Sequence, residues 1–276
     1  MHRALRFFIA FPIIALAAFA CSENKGVELP GDPNEDPADG SKGDEANAQT
    51  SDAAADETST ANETGAADTG PTMVGPDGGI SSLMNFFVTS KGRGKGGDLR
   101  DNGAGADGLA GADAFCKSLA GAIAPVLGAK NWKAYLSTGA VNARDRIPKG
   151  PFYNAKGVLI AANVSQLHDE GGLVNAMSLV NSLDEGGNQV PAVGTVMHDV
   201  MTGTIANGKA AADHCNNWTS SGTGFKTQVG HSNRDGGGAA PTSWNAAHVS
   251  GGCEEGTGGT GVGSGGGRGS YYCFAD

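Results

Sequence analysis

Residues 107–127 read DGLAGADAFCKSLAGAIAPVL and predict the one main helix of this protein. Apolar side chains recur at helical spacing along this segment, at Ala112, Cys116, Leu119, Ile123 and Val126. A spacing of three to four residues places these side chains on one face of a helix. Asp107 precedes the pattern in the position of a helix cap, so an amphipathic helix is expected from Leu109 to Leu127.

The segments around this helix predict short strands. They are one strand over residues 84–89, one over 132–137, two over 151–160 around a turn ending in Gly157, and a final strand over 269–274. Beyond Val190 we expect mostly loop, because glycine runs occur at 236–238, 251–252, 258–259 and 265–267. Helices and strands mixed in this way indicate the α+β class.

The N-terminus is typical of an export signal. Two arginines precede an apolar run over residues 7–19, which is too short to span a bilayer but fits a signal-peptide core. The run ends in AFAC (18–21), which resembles the bacterial lipobox with alanine in place of the usual leucine. We therefore expect residues 1–20 to be a signal peptide and Cys21 to carry a lipid anchor. Ser22 resembles the outer-membrane sorting pattern, which indicates the cell envelope, at the outer membrane or cell surface. The alternative is an ordinary secretory signal cut before the cysteine.

The charge of the chain is concentrated in a linker. Residues 22–80 carry 14 acidic and 2 basic side chains, whereas residues 81–276 carry 15 of each. Low hydrophobicity with high like charge predicts a disordered spacer over 21–80, anchored by its lipid to the membrane, that precedes one domain over 81–276. An acidic tail that collects calcium or binds a partner is the alternative for this segment. A net-neutral exported domain is not expected to bind nucleic acid.

Four cysteines lie in the domain, at Cys116, Cys215, Cys253 and Cys273. An even set in an exported protein indicates a disulfide framework, and the absence of a CxxC pair argues against a zinc or redox site built from them. Spacing leaves three connectivities open. A Cys116–Cys273 bond would tie the two ends of the domain together.

Several blocks of the domain resemble a bacterial envelope-lipoprotein family, the domain of unknown function 1554. The blocks are FVTS (87–90), DGLAGADAFC (107–116), WKAYLS (132–137), RDRIPKGPFY (144–153), TGT (202–204), CNNWTSS (215–221) and YCF (272–274). The resemblance covers residues 84–275 and implies a C-type-lectin-like, endostatin-like fold. It also implies nested disulfides, Cys116–Cys273 outside and Cys215–Cys253 inside.

The first loop, residues 91–108, is longer and more charged than the pattern of that family. Lys91, Arg93, Lys95 and Arg100 on this loop are candidate ligand-binding residues for an anionic polysaccharide or a phosphate. Because acidic residues are interleaved with them, a surface of mixed charge is the alternative. Outside the loop, Arg144 and Arg146 are expected to form structural ion pairs.

Calcium-dependent sugar binding is not supported, and no cofactor is expected. Calcium needs six to eight oxygen ligands, and the ligand tripeptides of C-type lectins are absent. The nearest approach is WNA (244–246), with alanine in place of the carboxylate. The loop residues Asp98, Asp101, Asn102 and Asp107 could gather around a cation, but a solvated loop with a helix cap is the favoured interpretation.

No catalytic motif stands out. His198-Asp199 and His231-Ser232 suggest hydrolytic groups, but no GxSxG or HExxH motif accompanies them. We interpret His168, His198, His214, His231 and His248 as solvated or loop-stabilising and Trp132, Trp218 and Trp244 as core residues, and we expect no metal site. One exposed tryptophan would be a platform for sugar stacking.

The sequence therefore predicts a lipid-anchored envelope protein that displays a non-catalytic lectin-like recognition domain. Its ligand would be a polysaccharide, a matrix component or a protein. A structural or adhesion module that packs against another envelope protein is the alternative, followed by an envelope hydrolase. The sequence leaves the oligomeric state open.

Overall fold

The computed structural model describes residues 79–276, apart from 104, 106, 191–196, 257–259 and 264–265. These residues belong to the second of two units of the chain, Gly65–Asp276. The signal segment, Cys21 and the linker up to residue 78 lie outside the described residues, so their roles remain predictions. No helix in the described part is long and apolar enough to cross a membrane.

The described chain has a mixed α+β fold with few helices and short strands, as the sequence predicts. Its strands are β1 Phe86–Val88, β2 Lys133–Ala134, β3 Phe152–Tyr153, β4 Leu159–Ala161, β5 Asp199–Met201, β6 Gln228–His231, β7 His248–Val249 and β8 Gly267–Phe274. Its right-handed helices are α1 Leu109–Ile123, α2 Pro125–Gly128, α3 Ala143–Arg146 and α4 Val164–Leu167, with a 3-10 turn at Glu170–Gly172. A further helical turn covers Cys215–Trp218.

The predicted long helix is interrupted near its end. Helix α1 stops at Ile123 and the chain continues as α2 from Pro125. Ala124 between them is extended, with φ −156° and ψ 142°, because a residue that precedes proline is disfavoured in the helical region. Ile123 and Val126, which we placed on the buried face, are 39% and 60% exposed as a result. The rest of that face, Ala112, Cys116 and Leu119, is buried as predicted.

Strand β8 is the centre of the main sheet. The order of strands in this sheet is β1-β8-β5-β6-β7, and β2 also pairs with β8. Strand β8 is antiparallel to β1 and parallel to β5, so both ends of the domain lie in adjacent strands. Strands β5, β6 and β7 fall in the region that we expected to be mostly loop, so that expectation was incomplete.

Two disulfide bonds join the four described cysteines. Cys116 of α1 is bonded to Cys273 of β8, and Cys215 is bonded to Cys253. This is the nested arrangement that the resemblance implies. The inner bond packs against Gly97 of the first loop. A Cβ at this position would collide with the Cys215 sulfur, so the loop can lie this close to the bond only if residue 97 is glycine.

The first loop and the loops that contain Cys215 and Cys253 meet at the N-terminal end of α1. The N–H of Gly108, which precedes α1, donates to the Asn217 carbonyl, and the N–H of Gly97 donates to the Cys253 carbonyl. At the other end of the helix, Lys130 follows α2 and donates to the carbonyl of Met84, near the start of the described chain. Helix α1 has 15 residues and is therefore about 22 Å long. The disulfide-bonded loops and the start of the domain thus lie at opposite ends of α1.

Candidate functional site

The basic residues of the first loop are only partly free. Arg93 pairs with Asp101 at 2.6 Å, and Arg100 pairs with Asp98 at 2.9 Å. The hydrogen bond from Arg100 lowers the pKa of Asp98 below its ordinary value. Arg100 also donates to the carbonyl of Thr219, which links this loop to the Cys215–Trp218 turn. Lys91 and Lys95 are exposed. The geometry therefore favours the mixed-charge interpretation of this loop.

The four oxygen-bearing residues of the first loop differ in their surroundings. Asp98 and Asp101 are in the ion pairs just described, and the carboxylate of Asp107 accepts from the N–H of Leu109 at 3.0 Å. Asn102 has a left-handed backbone, with φ 50°, a conformation that asparagine adopts more readily than most residues. Three of the four predicted candidates are thus engaged in stabilising the loop and the start of α1.

The tripeptide nearest to a calcium motif is buried. Asn245 is 1% exposed, and its amide nitrogen donates to the Tyr135 hydroxyl at 3.0 Å and to the Ala206 carbonyl at 3.1 Å. All three tryptophans of the chain, Trp132, Trp218 and Trp244, are core residues, as predicted. Tryptophan therefore supplies no exposed stacking platform.

Two of the histidines stabilise loops, as predicted. His168 accepts at Nε2 from the Tyr135 hydroxyl at 2.7 Å and donates from Nδ1 to the Val164 carbonyl at 2.7 Å. This assignment of the proton follows because a carbonyl can only accept. His214 accepts at Nδ1 from the N–H of Asn217 at 2.9 Å. These contacts occupy both ring nitrogens of His168 and Nδ1 of His214.

The Cys215–Trp218 turn has a left-handed backbone. Its four residues have φ between 47° and 62°, and none of them is glycine. Left-handed helical geometry costs roughly 1–2 kcal/mol per residue, so this turn must be held in place from outside. The Cys215–Cys253 bond holds one end, and a 2.6 Å hydrogen bond from the Trp218 indole to the Ser137 carbonyl holds the other. Asparagine, at both central positions, tolerates this conformation better than most residues.

A pocket with an exposed aromatic side chain adjoins this turn. It has a volume of about 330 Å³ and is lined by Ala212, Asp213, His214, Asn216, Gly224, Phe225 and Lys226. Phe225 is 47% exposed. An apolar ring beside amide, carboxylate and ammonium groups is a combination that fits a small polar ligand with an apolar face.

The other three histidines of the described domain converge on one aspartate, which the sequence did not reveal. Asp199 begins β5 and stands opposite His231 of β6. His248 of β7 pairs with Val229, which lies two residues from His231 and so on the same face of the sheet. His198 precedes β5, and its ring stacks on that of His231, with 4.2 Å between centroids. We call His198, Asp199, His231 and His248 the histidine–aspartate cluster.

The ring nitrogens of the cluster surround a single oxygen atom. The Nε2 atoms of His198, His231 and His248 lie 3.4, 3.3 and 3.5 Å from Oδ1 of Asp199. Asp199 is 2% exposed and His231 is fully buried. Within the described part of the chain, Asp199 Oδ1 and His231 Nε2 have no hydrogen-bond partner.

The other ring nitrogen of each histidine faces an acceptor. Nδ1 of His231 lies 2.8 Å from the Pro241 carbonyl, and Nδ1 of His248 lies 3.2 Å from the Val249 carbonyl. Nδ1 of His198 lies 3.0 Å from the Asn233 side-chain oxygen, whose identity follows because it also accepts from a backbone N–H. Each neutral ring therefore carries its proton on Nδ1 and directs the Nε2 lone pair towards Asp199.

The pKa values of two histidines of the cluster are shifted in opposite directions. Burial and the neighbouring His231 lower the pKa of His198. Burial also opposes protonation of His231, but the adjacent Asp199 carboxylate and the Pro241 carbonyl outweigh it and raise the pKa of His231. Both residues are buried, so of the two alternatives given for them, solvated or loop-stabilising, the second holds, through the contacts with Asn233 and Pro241. The ligand atoms of His198, Asp199 and His231 lie within 4.8 Å of one another, which is close enough for them to hold a metal ion, and His248 lies outside this group.

Comparison with known proteins does not add to this description: no protein-family model matches the chain, and no curated protein matches it.

Proposed function

We propose that this is a lipid-anchored cell-envelope protein that displays a non-catalytic recognition domain of C-type-lectin-like, endostatin-like architecture. The ligand is a polysaccharide, a matrix component or a protein, and calcium is not obligatory. Cys21 carries the lipid, at the outer membrane or cell surface. The resemblance to the domain of unknown function 1554 is the basis for the fold assignment.

The organisation of the domain supports this fold assignment. The first and last strands, β1 and β8, are neighbours, and the Cys116–Cys273 bond closes the domain beside them. The Cys215–Cys253 bond holds the glycine-rich loops. Both features correspond to what the resemblance implies. The disulfide-bonded loops lie at the far end of α1 from the start of the domain.

The observation that carries the recognition function is the pocket around Phe225. Sugars and other small polar ligands combine apolar faces with hydrogen-bonding groups, and this pocket offers the complement of both. The left-handed turn fixes the backbone of Asn216 before any ligand arrives. Such preorganisation reduces the entropy lost on binding. A concave loop surface with an exposed aromatic ring favours ligand recognition over a purely structural role.

The contacts of the candidate oxygen ligands support calcium independence. Asn245 of the WNA tripeptide uses its side chain inside the core, and Asp98 and Asp101 are paired with arginines. Ser232, the serine beside His231, is buried and donates its hydroxyl to the Val190 carbonyl at 2.9 Å. That hydroxyl is therefore committed to the backbone, which supports a non-catalytic role.

One observation favours the alternative, a structural or adhesion module. Segment 173–180 presents four exposed apolar side chains, Leu173, Val174, Leu179 and Val180. Exposed apolar side chains on one segment are typical of protein contacts. In this alternative the segment packs against a neighbouring envelope protein.

A glycan and matrix-component array tests the proposal and separates it from the alternative. The complete mature chain in detergent is applied with calcium and with a calcium-selective chelator. We expect the wild-type chain to bind the same ligand in both conditions. Binding should be lost in Phe225→Ala and unchanged in the double variant Leu173→Ser/Val174→Ser. Loss of binding on chelation would contradict calcium independence. Binding that depends on residues 173–174 and ignores Phe225 would favour the alternative.

The anchor has its own test. We expect incorporation of labelled fatty acid into the wild-type chain and none into Cys21→Ser. A secretory signal without lipidation would give no label in either.

A further inference from the structure

We propose that the histidine–aspartate cluster is a zinc site, with Nε2 of His198, His231 and His248 and Oδ1 of Asp199 as its four ligands. This inference does not depend on the proposed recognition function. It rests on the geometry of the cluster and on two buried polar atoms that lack hydrogen-bond partners among the described residues.

The first argument is the conflict of charge inside the cluster. When all three imidazoles are neutral, each directs a lone pair at a carboxylate oxygen that is itself negative. Buried polar groups normally have partners, and leaving one without a partner destabilises the folded state. Asp199 Oδ1 and His231 Nε2 are both buried and without hydrogen-bond partners in the described chain. A cation between the four atoms would satisfy all of them at once.

The second argument is distance. Zinc binds imidazole nitrogen and carboxylate oxygen at about 2.0–2.2 Å, and it is almost always tetrahedral in structural sites. The edge of such a tetrahedron, between two ligand atoms, is about 3.3 Å. The three nitrogen-to-oxygen separations in the cluster are 3.4, 3.3 and 3.5 Å. Three of the six edges of a tetrahedral site therefore match, and the ligand atoms of His198, Asp199 and His231 all lie within 4.8 Å of one another, whereas His248 falls outside that group.

The third argument is the orientation of the rings. Histidines that bind metals almost always donate their second ring N–H to a carbonyl, carboxylate or water, which fixes the tautomer. In the cluster, Nδ1 of each histidine faces an acceptor, supplied by Asn233, Pro241 and Val249. This outer layer presets all three Nε2 atoms for a metal.

The donor set selects the ion. Three imidazoles and one carboxylate suit zinc, whereas calcium and magnesium require oxygen ligands. Copper(II) binds nitrogen donors more tightly in general but prefers square-planar or tetragonal geometry. Four protein ligands fill a tetrahedral zinc ion, so the site is of the closed, structural kind.

Glycines cover the site at close range. A Cβ at Gly236 would lie 3.1 Å from Nε2 of His198, and a Cβ at Gly238 would lie 2.9 Å from Cδ2 of His248. Gly236 has φ 127° and Gly238 has φ 105°. The glycine run at 236–238 therefore lies against the imidazole edges where a larger residue would intrude.

The site would add a further restraint to one loop. His231 and His248 flank residues 232–247, which lie inside the segment closed by the Cys215–Cys253 bond. A zinc ion shared by His231, His248 and Asp199 would join both ends of the loop to β5. Metal binding of this kind contributes directly to folding free energy.

Zinc titration of the complete chain tests the inference. The chain is purified in detergent with its disulfides intact and without a histidine tag, stripped with a chelator, and titrated against a chromogenic zinc chelator. We expect one zinc per chain, and a visible absorption band typical of tetrahedral coordination when cobalt(II) replaces zinc. Zinc is also expected to raise the unfolding temperature, since it binds the folded state.

Variants distinguish the site from adventitious binding. Removing the outer acceptor in Asn233→Ala is expected to weaken zinc binding about 10–100-fold. Removing a ligand in His248→Ala or Asp199→Asn is expected to weaken it by more than about 100-fold. His248 is partly exposed, so its replacement keeps the test usable if Asp199→Asn fails to fold. His214→Asn removes a histidine outside the cluster, keeps a capping acceptor, and is expected to bind like wild type.

The inference is overturned by either of two results. One is the absence of saturable zinc binding by the wild-type chain. The other is unchanged zinc affinity in His248→Ala with a native unfolding temperature. A proton shared between His231 and Asp199 would then be the occupant of the cluster.

Discussion

Arg146 and Asp113 are joined by two hydrogen bonds, with Nη2 of the guanidinium 3.1 and 2.9 Å from the two carboxylate oxygens. The same carboxylate accepts from the N–H of Ala134 at 2.8 Å, and Arg146 donates to the Ala134 carbonyl. Asp113 belongs to α1, Ala134 to β2 and Arg146 to α3. This ion pair therefore ties the helix to the sheet, as predicted for Arg146. Arg144 is also in an ion pair, with Glu170 at 2.6 Å.

Replacing Arg146 should destabilise the domain. Arg146→Ala leaves the mostly buried Asp113 carboxylate with Lys133, 3.2 Å away, as its remaining ionic partner. Because two charged hydrogen bonds are lost, we expect the free energy of unfolding to fall by about 2 kcal/mol. Arg146→Lys should cost less but still destabilise, because an ammonium group cannot reproduce the planar arrangement of donors. Denaturant unfolding under non-reducing conditions measures both. Lys117→Ala, an exposed change on the same helix, should stay within about 0.5 kcal/mol. Equal effects of Arg146→Ala and Lys117→Ala would contradict this role.

His168 should make stability depend on pH. Burial lowers the pKa of His168 below its ordinary value. As the pH falls below about 6.5, His168 takes up a proton in the unfolded chain before it does so in the folded chain. The free energy of unfolding therefore decreases. Protonation of the folded state would also break the bond that Nε2 accepts from Tyr135. Thermal unfolding across this range should show a shallower pH dependence in His168→Gln than in wild type. Parallel profiles for the two proteins would rule out the contribution.

The two disulfide bonds should contribute unequally. They close segments with sequence separations of 157 and 38 residues. Loop entropy then gives about 5 kcal/mol for Cys116–Cys273 and about 4 kcal/mol for Cys215–Cys253. We expect the paired alanine variant of the outer bond to lose more stability than that of the inner bond, measured by denaturant unfolding. The reverse order would show that native contacts outweigh chain entropy here.

Peptide mapping without reduction checks the pairing on its own. We expect fragments that link Cys116 to Cys273 and Cys215 to Cys253. A fragment that links Cys116 to Cys215 would exclude the nested arrangement.

The left-handed turn gives a prediction that isolates the backbone. Asn216 has φ 52°, and its side chain donates to the Thr219 hydroxyl at 3.0 Å. Both Asn216→Ala and Asn216→Gly remove that bond, but only alanine adds steric strain in the left-handed region. We expect Asn216→Ala to be less stable than Asn216→Gly by about 1 kcal/mol in equilibrium unfolding. If alanine proves as stable as glycine, the turn is not left-handed in solution.

Local patterns predicted much of the fold. The helical spacing around Cys116 located α1, and the two short strands around Gly157 are the β3–β4 pair. The final strand was located by its aromatic and cysteine residues, with its true start two residues earlier, at Gly267. The interruption at Pro125 was available in the sequence and was missed, because the apolar spacing continues through it.

The pocket around Phe225 and the histidine–aspartate cluster could not be predicted from local sequence patterns. Phe225 is one apolar residue in a glycine-rich stretch, and its exposure depends on the fold of the Cys215–Cys253 loops. Four of the five histidines of the domain fall within residues 198–248, beside a glycine run, which was the available hint.

By itself, therefore, the sequence determined the α+β class, the main helix and the presence of disulfide bonds. It also predicts an export signal, which lies outside the described residues. These depend on neighbouring residues or on composition. Only the tertiary structure decided the cluster, because Asp199, His231 and His248 are far apart in the chain and meet through the register of three strands of two to four residues. Strands that short carry no periodicity of their own, and their pairing is fixed by the core against which they pack.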